Sequence, residues 1–268
     1  MPVPSTTKPT RRFRLVEVVA VRPLTPRLVQ VALAGDALDG FEIAAPTQHV
    51  KLLFPGPGED APALPEFGPD GLRFPEGRPR PTMRTFTPRR FDAASTTLEV
   101  DFVLHGEGPA SAWARQAAPG QRIAVAGPGG RMPLPLGPGR WIVAGDESAI
   151  PAIATLLEAL PASASAEVYV EVDDASDEIE FESEAAVAAT WLHRSPGHFG
   201  QTLAAAVSDV DVSGAAGVWI ACEATAVRKI RRALLTERGA DPTSLVTRGY
   251  WRLGEQNHPD HDYGEDAA

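Results

Sequence analysis

The sequence predicts a two-domain protein of the β plus α/β class, with an N-terminal antiparallel β-barrel followed by a parallel-sheet α/β domain. A chain of 268 residues is long for one ordinary domain and can bury two hydrophobic cores. The first half consists of short apolar and β-branched segments that end at Gly, Pro or Asp, which is typical of an antiparallel barrel or sandwich. The second half alternates strand patterns with helix patterns, and this alternation predicts a parallel sheet.

Six strand-like segments form the predicted barrel, between Phe13 and about Val125. A stretch dense in Pro and Gly, from Pro55 to Pro81, interrupts them and is longer than most connections inside a compact domain. We expect a mobile or functional surface loop there, to which the sequence assigns no role. In chain order the six segments are FRLVEVVAV, RLVQVALAG, HVKLLFP, MRTFTPRRF, TLEVDFVLHG and RIAVAGP.

The α/β pattern begins after Gly139. Four buried strands are predicted there, RWIVAGD, AEVYVEV, GVWIAC and LVTRGYW, and three helical segments lie between them. The last helix, EATAVRKIRRALLTERG, is amphipathic and ends at Gly239, as a glycine helix stop would dictate. The other two helical segments are ESAIPAIATLLEAL and GQTLAAAV.

The segment LPLGPG reads as a linker and places the domain boundary near Pro135 to Gly139. We therefore divide the chain into a barrel domain (1–136), an α/β nucleotide-binding domain (137–254) and a polar C-terminal tail (255–268). The tail is expected to lie on the surface or to be disordered. Its residues His258, Asp260, His261 and Asp262 resemble metal ligands in composition alone, so a solvated tail is the preferred interpretation and no metal site is predicted.

Composition excludes several classes of function. The net charge of −10 argues against non-specific nucleic-acid binding, because release of counterions from a nucleic acid requires a basic surface. No apolar run approaches the roughly 18 residues of a membrane helix, and the N-terminus carries no apolar export segment, so we expect a cytoplasmic monomer that does not enter membranes. One cysteine, Cys222, cannot form an internal disulfide or hold an iron–sulfur cluster. Redox chemistry in this chain would therefore need a bound cofactor.

The segment RWIVAGDESAIPAI joins a buried strand to a helix through a short turn containing Gly145. A strand, a small turn and a helix N-terminus together offer backbone N–H groups and a helix dipole to an anion such as a pyrophosphate. Asp146, Glu147 and Ser148 are also good helix caps, so a purely structural use of the same residues is equally open.

A second candidate anion site is VLHGEGPASAWARQA, from Val103 to Ala117. A strand ends there at two glycines, and a short helix begins near Ala110, so the loop presents backbone donors, the hydroxyl of Ser111 and the nearby His105. Taken alone, His105 is more often a structural histidine. One candidate site in each half of the chain indicates two nucleotides rather than one.

The tetrapeptide Arg84-Thr85-Phe86-Thr87 lies on a predicted strand. Alternation along the strand sends Arg84 and Phe86 to one face and the two threonines to the other. Arginine can pair with a phosphate, and the hydroxyls and backbone can bond to a flat heteroaromatic ring. In isolation, the tetrapeptide proves nothing, and an ordinary strand is the better explanation.

With these motifs in this order, the chain resembles the siderophore-interacting protein family, a branch of the ferredoxin-reductase-like flavoenzymes. The resemblance runs from about Phe13 to Gly254. It rests on RTFT at 84–87, DFVLHGEGPASAWA at 101–114, AGDESAIPAI at 144–153 and RGYWRLG at 248–254. The family usually has Tyr where this chain has Phe86, so stacking is retained but a hydroxyl toward the flavin is lost.

The resemblance implies that the barrel binds FAD and that the α/β domain admits NADH or NADPH. Hydride would pass from the nicotinamide to the flavin, and electrons would then pass to the Fe(III) of a siderophore, with the protein supplying orientation and no acid or base. Fe(II) is a poorer fit for hard oxygen ligands and leaves the chelator. The implied cofactor-binding residues are Arg84, Thr85, Phe86 and Thr87 at the flavin; Asp101, Phe102, Val103, His105, Gly108, Ala110, Ser111 and Trp113 along the pyrophosphate and AMP; Gly145, Asp146 and Glu147 at the nicotinamide; and Tyr250, Trp251 and Arg252 near the flavin.

Basic residues of the family attract anionic ferric chelates, and the matching positions here are Lys51, Arg131 and Arg248. A few cations around a concave opening would concentrate an anionic chelate even on an acidic protein. Individually, each is as readily explained as an ordinary solvated charge.

The choice between NADH and NADPH stays open. The acidic run Asp173, Asp174, Asp177 and Glu178 would repel a 2′-phosphate and bond to a free ribose, whereas Arg194 and Arg228 could reach a 2′-phosphate. Cys222 is expected either near the nicotinamide or as a small buried apolar residue.

Two rival functions also stay open. One is a flavin reductase that serves a protein acceptor such as a ferredoxin, and the other is a carrier that binds the chelate without reducing it.

Overall fold

The computed structural model describes residues 12–68, 71–106, 108–130, 132–259 and 262–264. Its N-terminal part contains nine strands, one short α-helix and a single 3-10 turn (Asp36–Leu38) among the described residues. In chain order they are β1 (Phe13–Pro23), β2 (Leu28–Ala34), β3 (His49–Phe54), β4 (Glu66–Gly68), β5 (Gly71–Arg73), β6 (Thr82–Phe86), β7 (Pro88–Asp92), β8 (Thr97–Val103), α1 (Pro109–Arg115) and β9 (Arg122–Gly129).

Seven of these strands form one sheet in the order β6-β3-β9-β1-β2-β8-β7, and every pair of neighbours is antiparallel. The two end strands of the sheet, β6 and β7, are separated in the chain by Thr87 alone, so the sheet curls until its edges meet at this residue. The segment MRTFTPRRF, predicted as one strand, is therefore two. Pro88 lacks the N–H group that would continue the ladder.

The connection from Pro55 to Pro81 contains the β4–β5 hairpin, which the sequence did not predict. It is also tied at its base, where the Arg78 guanidinium donates to the Glu59 carboxylate at 2.7 Å and to the Ala61 carbonyl at 3.0 Å. Ala63 in this connection is 1% exposed. The expected loop is thus partly structured and partly buried against the barrel.

The C-terminal part is an α/β unit with five strands and three α-helices among the described residues. Its sheet has the order β12-β11-β10-β13-β14 and is parallel throughout. The predicted antiparallel and parallel sheets are both confirmed, and β12 is an additional edge strand that the sequence pattern did not reveal. The elements are β10 (Gly139–Asp146), α2 (Ile150–Glu158), β11 (Ala164–Val172), β12 (Ala186–His193), α3 (Gln201–Val207), β13 (Gly217–Glu223), α4 (Ala224–Thr236) and β14 (Leu245–Trp251).

The chain moves outward from β10 through β11 to β12, and then returns to the other side of β10 for β13 and β14. The point where the strand order reverses therefore lies between β10 and β13. In open α/β sheets, ligands bind outside the carboxyl ends of the strands at such a point. Asp146 ends β10 and Glu223 ends β13, so these two residues mark the expected crevice.

The two halves of the molecule pack against each other through apolar and charged contacts. Leu28 and Val103 of the barrel domain pack on the core cluster of the α/β domain. The Arg89 guanidinium binds the carboxylate of Glu158 on α2 at 2.5 Å, across the same interface. No helix in the part of the chain that the structure describes is both long and apolar enough to cross a membrane.

Candidate functional site

Three of the four sequence motifs meet where the barrel touches the carboxyl edge of the parallel sheet. The side chain of Thr87, between β6 and β7, lies beside the hydroxyl group of Tyr250 on β14 and interacts with it. Burial raises the pKa of Tyr250 to about 12, so its hydroxyl stays protonated at neutral pH. The Tyr250 ring packs edge-on against Trp219 with centroids 6.3 Å apart. The RTFT and RGYW motifs, far apart in the chain, therefore lie beside each other in the structure.

The third motif joins them through Asp146. This side chain is 2% exposed and its Oδ2 accepts hydrogen bonds from the Trp251 indole N–H at 2.8 Å and the Glu223 backbone N–H at 2.9 Å. Its Oδ1 accepts from the Ser148 backbone N–H at 3.0 Å. Burial, and secondarily the neighbouring Glu147, raises the pKa of Asp146 to about 7. The end of β10 is thus connected to both β13 and β14.

The polar residues of the turn after β10 form hydrogen bonds within the chain. Asp146 accepts the Ser148 N–H, so the helix-cap interpretation is confirmed. The Glu147 carboxylate receives two hydrogen bonds from the Arg194 guanidinium, at 2.5 and 2.6 Å. An added Cβ at Gly145 would lie 2.5 Å from Ala149 and 2.7 Å from the Ala221 carbonyl, so only glycine fits there. Contact of this turn with a nicotinamide stays a prediction.

The second candidate anion site is a loop on the barrel side. His105 is exposed at the surface, but desolvation by the surrounding protein lowers its pKa, so the imidazole is neutral at pH 7. Helix α1 starts at Pro109 after Gly108, and no side chain caps its N–H groups. Ser111 is 4% exposed and its hydroxyl accepts a hydrogen bond from Arg115 at 2.9 Å. The charge of Glu147 acts on His105, which places this loop near the turn after β10.

Phe86, Phe102 and Trp113 place their side chains in or against the core of the barrel, whereas Asp101 lies on the opposite face of β8. Phe86 packs against Phe102 with centroids 4.5 Å apart, and Phe102 packs against Trp113 at 5.5 Å. Asp101 is 6% exposed and accepts a hydrogen bond from Gln30 at 3.0 Å. Their side chains therefore shape the wall behind the β6–β7 junction and the 104–111 loop. Any contact of these residues with FAD stays a prediction.

The predicted basic set is only partly described. Lys51 donates to the Thr85 hydroxyl at 2.7 Å, on neighbouring strands β3 and β6. The Arg248 guanidinium lies over the Tyr263 ring, 4.4 Å from its centroid, and burial lowers the pKa of Arg248. Arg131 lies outside the described residues. Arg248 lines an open pocket of about 320 Å³ together with Pro133, Leu134, Arg231, Pro242, Thr243, Leu245, Val246, Thr247 and Tyr263.

In the structure, the residues proposed to repel or to bind a 2′-phosphate are engaged with other residues of the chain. Arg27, from the barrel, binds the carboxylates of Asp173 and Asp177, the latter at 2.6 Å. Arg194 has a side chain 5% exposed and is held by Glu147 and Asp173. Arg27 and Arg194 therefore neutralise part of the acidic run, and Arg194 is itself engaged within the chain.

Arg228, the other candidate for a 2′-phosphate, binds Asp262 at 2.7 Å. Its partner is a tail residue, so this guanidinium is also engaged within the chain.

The C-terminal tail contributes to the site, which the sequence did not reveal. Its described residues pack on β14: the Gly249 N–H donates to the Asp262 carbonyl at 2.9 Å, and the Thr247 hydroxyl donates to the Tyr263 carbonyl. The His258 side chain is 6% exposed and bonds to Asp262 at 2.8 Å. The described tail lies on the surface, but the side chains of His258 and Asp262, 6% and 8% exposed, are buried and not solvated as expected. The polar residues of the tail form hydrogen bonds and ion pairs within the chain, which composition alone does not reveal.

Comparison with known proteins supports one family along the whole domain region. The family model for the siderophore-interacting FAD-binding domain matches residues 17–132, and the model for siderophore-interacting protein matches residues 139–254. The ferric vibriobactin reductase of Vibrio cholerae is 34% identical over 254 residues, covering 93% of each chain. The NADPH-dependent ferric-chelate reductase of Escherichia coli is 39% identical over 150 residues, covering 56% of this chain and 58% of that protein.

Solved structures give the same result. A siderophore utilization protein from T. fusca superposes with a TM-score of 0.83 at 37% identity, covering 94% of this chain and 97% of that one. A ferredoxin NADP+ reductase from Neisseria gonorrhoeae, at 13% identity and a TM-score of 0.55, covers 90% and 99% and shows that the fold is ferredoxin-reductase-like. Family models that together span most of the chain, and a relative above 30% identity, lead to one conclusion: this chain is a member of the siderophore-interacting protein family.

Proposed function

We propose that this protein is an FAD-dependent reductase that transfers electrons from NAD(P)H to Fe(III) in ferric siderophores and releases Fe(II). The observation that carries the proposal is the meeting of three motifs at one interface, through the Asp146–Trp251 hydrogen bond and the proximity of Thr87 to Tyr250. The similarity to proteins named ferric vibriobactin reductase and NADPH-dependent ferric-chelate reductase supports the reaction class.

The residues on the barrel side fit FAD by their chemistry. Arg84 is half-buried on β6 and, among its described contacts, donates to the Met83 carbonyl and at 3.5 Å to Asn257, so it has further N–H groups for a phosphate. The exposed Thr85 and the uncapped start of α1 add hydroxyl and backbone donors. When bound, FAD links a two-electron hydride donor to a one-electron metal acceptor.

The α/β side would hold the nicotinamide cofactor. The crevice at the switch between β10 and β13 is bordered by the Gly145–Glu147 turn and by Glu223. Its carboxylates are bonded internally, so the protein contributes fixed geometry there and no proton transfer is assigned to it. We propose NADH or NADPH as donor, and the reductase from Escherichia coli named for NADPH supports the second.

The pocket at Arg248 is the proposed acceptor site. It is open, it carries the guanidinium of Arg248 over the Tyr263 ring, and it lies next to the strand that ends at Tyr250 and Trp251. A ferric siderophore built from anionic oxygen ligands would be attracted by this cation and by Lys51. The chain's net charge of −10 makes such a local cationic site the more selective, because the rest of the surface repels the same chelate.

The pocket also bears on the rival acceptor. A protein acceptor needs a broad interface of about 1,000 Å² or more, whereas a chelate needs a pocket with a few polar groups. The Arg248 pocket matches the second requirement, and a ferredoxin therefore stands as the alternative to be tested. A monomeric chain located in the cytoplasm stays a prediction from the sequence.

The test is anaerobic reduction of several ferric siderophores by the purified FAD-loaded protein, with an Fe(II)-trapping chelator and each nicotinamide in turn. We expect Fe(II) to appear with a ferric siderophore and to depend on enzyme and nicotinamide. A protein that reduces a ferredoxin readily and no ferric chelate would contradict the proposal.

Variants locate the acceptor site. Replacing Lys51 or Arg248 by Ala should raise KM for an anionic ferric chelate by about 5-fold to 10-fold, the loss of one favourable charge near the ligand. Oxidation of the nicotinamide by a neutral acceptor should change little. The matched control is Lys229→Ala, which removes the same charge from an exposed position on α4. Equal losses in all three variants, or with both acceptors, would remove Lys51 and Arg248 from the substrate site.

A further inference from the structure

Asp146 is a buried carboxylate without a described cationic partner. Its hydrogen bonds come from Ser148, the Glu223 backbone and the Trp251 indole, all neutral groups, and no arginine, lysine or histidine bonds to it among the described residues. Arg194, which follows β12 and reaches this turn, is bonded to Glu147 and Asp173 instead. A charge buried without a counterion is costly, so the ionised form of Asp146 lowers the stability of the fold.

The hydrogen bond from Trp251 ties the aromatic end of β14 to Asp146. Trp251 is half-buried and packs edge-on against Phe199, with centroids 5.4 Å apart, but its indole N–H points to Asp146. The preceding residue, Tyr250, lies beside Thr87 of the barrel. A shift of Trp251 would therefore also move Tyr250 relative to the β6–β7 junction.

We infer that Asp146 is a positioning residue that fixes Trp251, and through it Tyr250, against the flavin side of the barrel. Two of the predicted cofactor contacts are thus not independent: the turn proposed for the nicotinamide also holds the segment proposed for the flavin. Only the kinetic part of this inference rests on the proposed function, because the Asp146–Trp251 contact itself can be observed in the protein without turnover.

The groups facing Asp146 make this contact sensitive to protonation. Glu147 lies on the same turn, Cys222 and Glu223 on β13, and Tyr250 on β14, and each interacts with it electrostatically or by a hydrogen bond. An N–H donor binds a charged carboxylate more strongly than a neutral one. Because burial raises the pKa of Asp146 to about 7, the Trp251 bond should strengthen as the pH rises through neutrality.

The first arm of the test observes the contact directly. In FAD-loaded protein labelled with nitrogen-15 at its indole groups, the chain's 5 tryptophans should give indole signals, and Trp251→Phe identifies the one from Trp251. We expect that signal to shift with pH near neutrality in the wild type and to lose this titration in Asp146→Asn. A Trp251 signal that does not titrate, or that titrates identically in both proteins, would overturn the inference. If Asp146→Asn does not fold, the titration of the wild type decides.

The second arm measures the rate at which a saturating nicotinamide bleaches bound flavin after rapid anaerobic mixing. Trp251→Phe keeps the ring and removes the N–H, and should slow this step by about 10-fold, the effect of one lost hydrogen bond to a charged group. The KM for a ferric chelate should change by less than about 2-fold, since the acceptor pocket keeps its lining. An unchanged bleaching rate would also overturn the inference.

The matched control is Trp191→Phe, on edge strand β12, where the ring stacks on Phe181 at 5.6 Å far from β14 in the sheet order. It should leave the bleaching rate within about 2-fold of the wild type, as expected for a surface change away from the site. A wild-type protein whose flavin no nicotinamide bleaches would defeat the proposed function, while the indole titration would still decide the role of Asp146.

Discussion

At Arg248, one aromatic side chain determines how the guanidinium is presented to the pocket. The Tyr263 ring lies 4.4 Å from the guanidinium carbon, and 47% of Tyr263 is exposed, so the ring supports the cation from one side and leaves the other side open. A cation over an aromatic face at a partly exposed site is stabilised by about 0.5–1 kcal/mol. Tyr263 therefore reduces the number of orientations that Arg248 must give up when an anion binds.

Tyr263→Ala should raise KM for an anionic ferric chelate by about 2-fold to 5-fold, the factor that corresponds to this stabilisation. Tyr263→Phe retains the ring face and should restore the wild-type KM. Steady-state kinetics with a charged and a neutral acceptor would measure both. A Phe variant as impaired as the Ala variant would show that the hydroxyl, and not the ring, is what matters.

The buried Asp146 makes a second prediction at the scale of single residues, concerning stability and pH. Its pKa in the folded protein is raised from 3.8 to about 7, so the folded state holds a proton that the unfolded chain releases near pH 4. The resulting stabilisation is complete below about pH 4 and is lost as the pH rises through 7, by up to about 4 kcal/mol.

Asp146→Asn removes this proton and should remove this part of the pH dependence. The free energy of unfolding of the wild type, minus that of the variant, should therefore fall between pH 4 and pH 8. Urea unfolding at a series of pH values would measure the difference. A difference that stays constant or rises over this range would contradict the assigned ionisation.

At the scale of elements, β14 and the tail behave as one unit. An added Cβ at Gly249 would lie 2.7 Å from the Asp262 carboxylate oxygen and 3.2 Å from the Ala224 Cβ. Asp262 is in turn held by Arg228 and His258. The tail can approach the strand this closely because position 249 has no side chain, so the glycine in RGYW has a packing reason.

Gly249→Ala should displace the tail and cost about 1–2 kcal/mol, as strained substitutions at close contacts do. We expect faster trypsin cleavage at Arg252, detected by mass spectrometry, and the same weakened chelate binding as in Tyr263→Ala. Gly137→Ala is the control, because an added Cβ there would meet no atom within 4 Å. Cleavage at the wild-type rate in Gly249→Ala would show that the tail does not depend on this contact.

The elements differ in how well the sequence predicts them. Strands β1 to β3 and β8 to β11 carry buried β-branched residues in regular patterns, and each was predicted close to its observed position. Strand β12 was missed because it is an edge strand of largely exposed Ala and Thr residues, which bury too little to leave a pattern. The β4–β5 hairpin has only three residues per strand, within a Pro-rich and Gly-rich stretch that favours turns.

At the scale of the whole molecule, charged residues connect the two domains. Arg27 leaves the barrel to bind Asp173 and Asp177, and Asp173 is shared with Arg194. The sequence shows these charges but cannot show their pairing, because the partners are about 150 residues apart and belong to different domains. For the same reason the acidic run suggests a ribose contact, because the sequence shows its charges and does not show that Arg27 binds them.

Arg27→Ala should destabilise the protein by about 2–4 kcal/mol, because it leaves Asp177, whose side chain is 5% exposed, without its cation. The control is Arg90→Ala at the same domain interface, where an arginine side chain 58% exposed pairs with Glu182 at 3.5 Å and should be worth about 1 kcal/mol or less. Urea unfolding would compare the two. Equal losses would mean that the Arg27 network contributes no more than a surface pair.

The proposed reaction requires a flavin bound between the barrel and the parallel sheet. The most direct measurement is to saturate the purified protein with FAD, remove free cofactor by gel filtration, and record the visible spectrum before and after adding NADH or NADPH and then a ferric siderophore without oxygen. We expect a yellow protein that bleaches with the nicotinamide and recovers its colour as Fe(II) forms. A protein that emerges colourless would contradict the account at its centre.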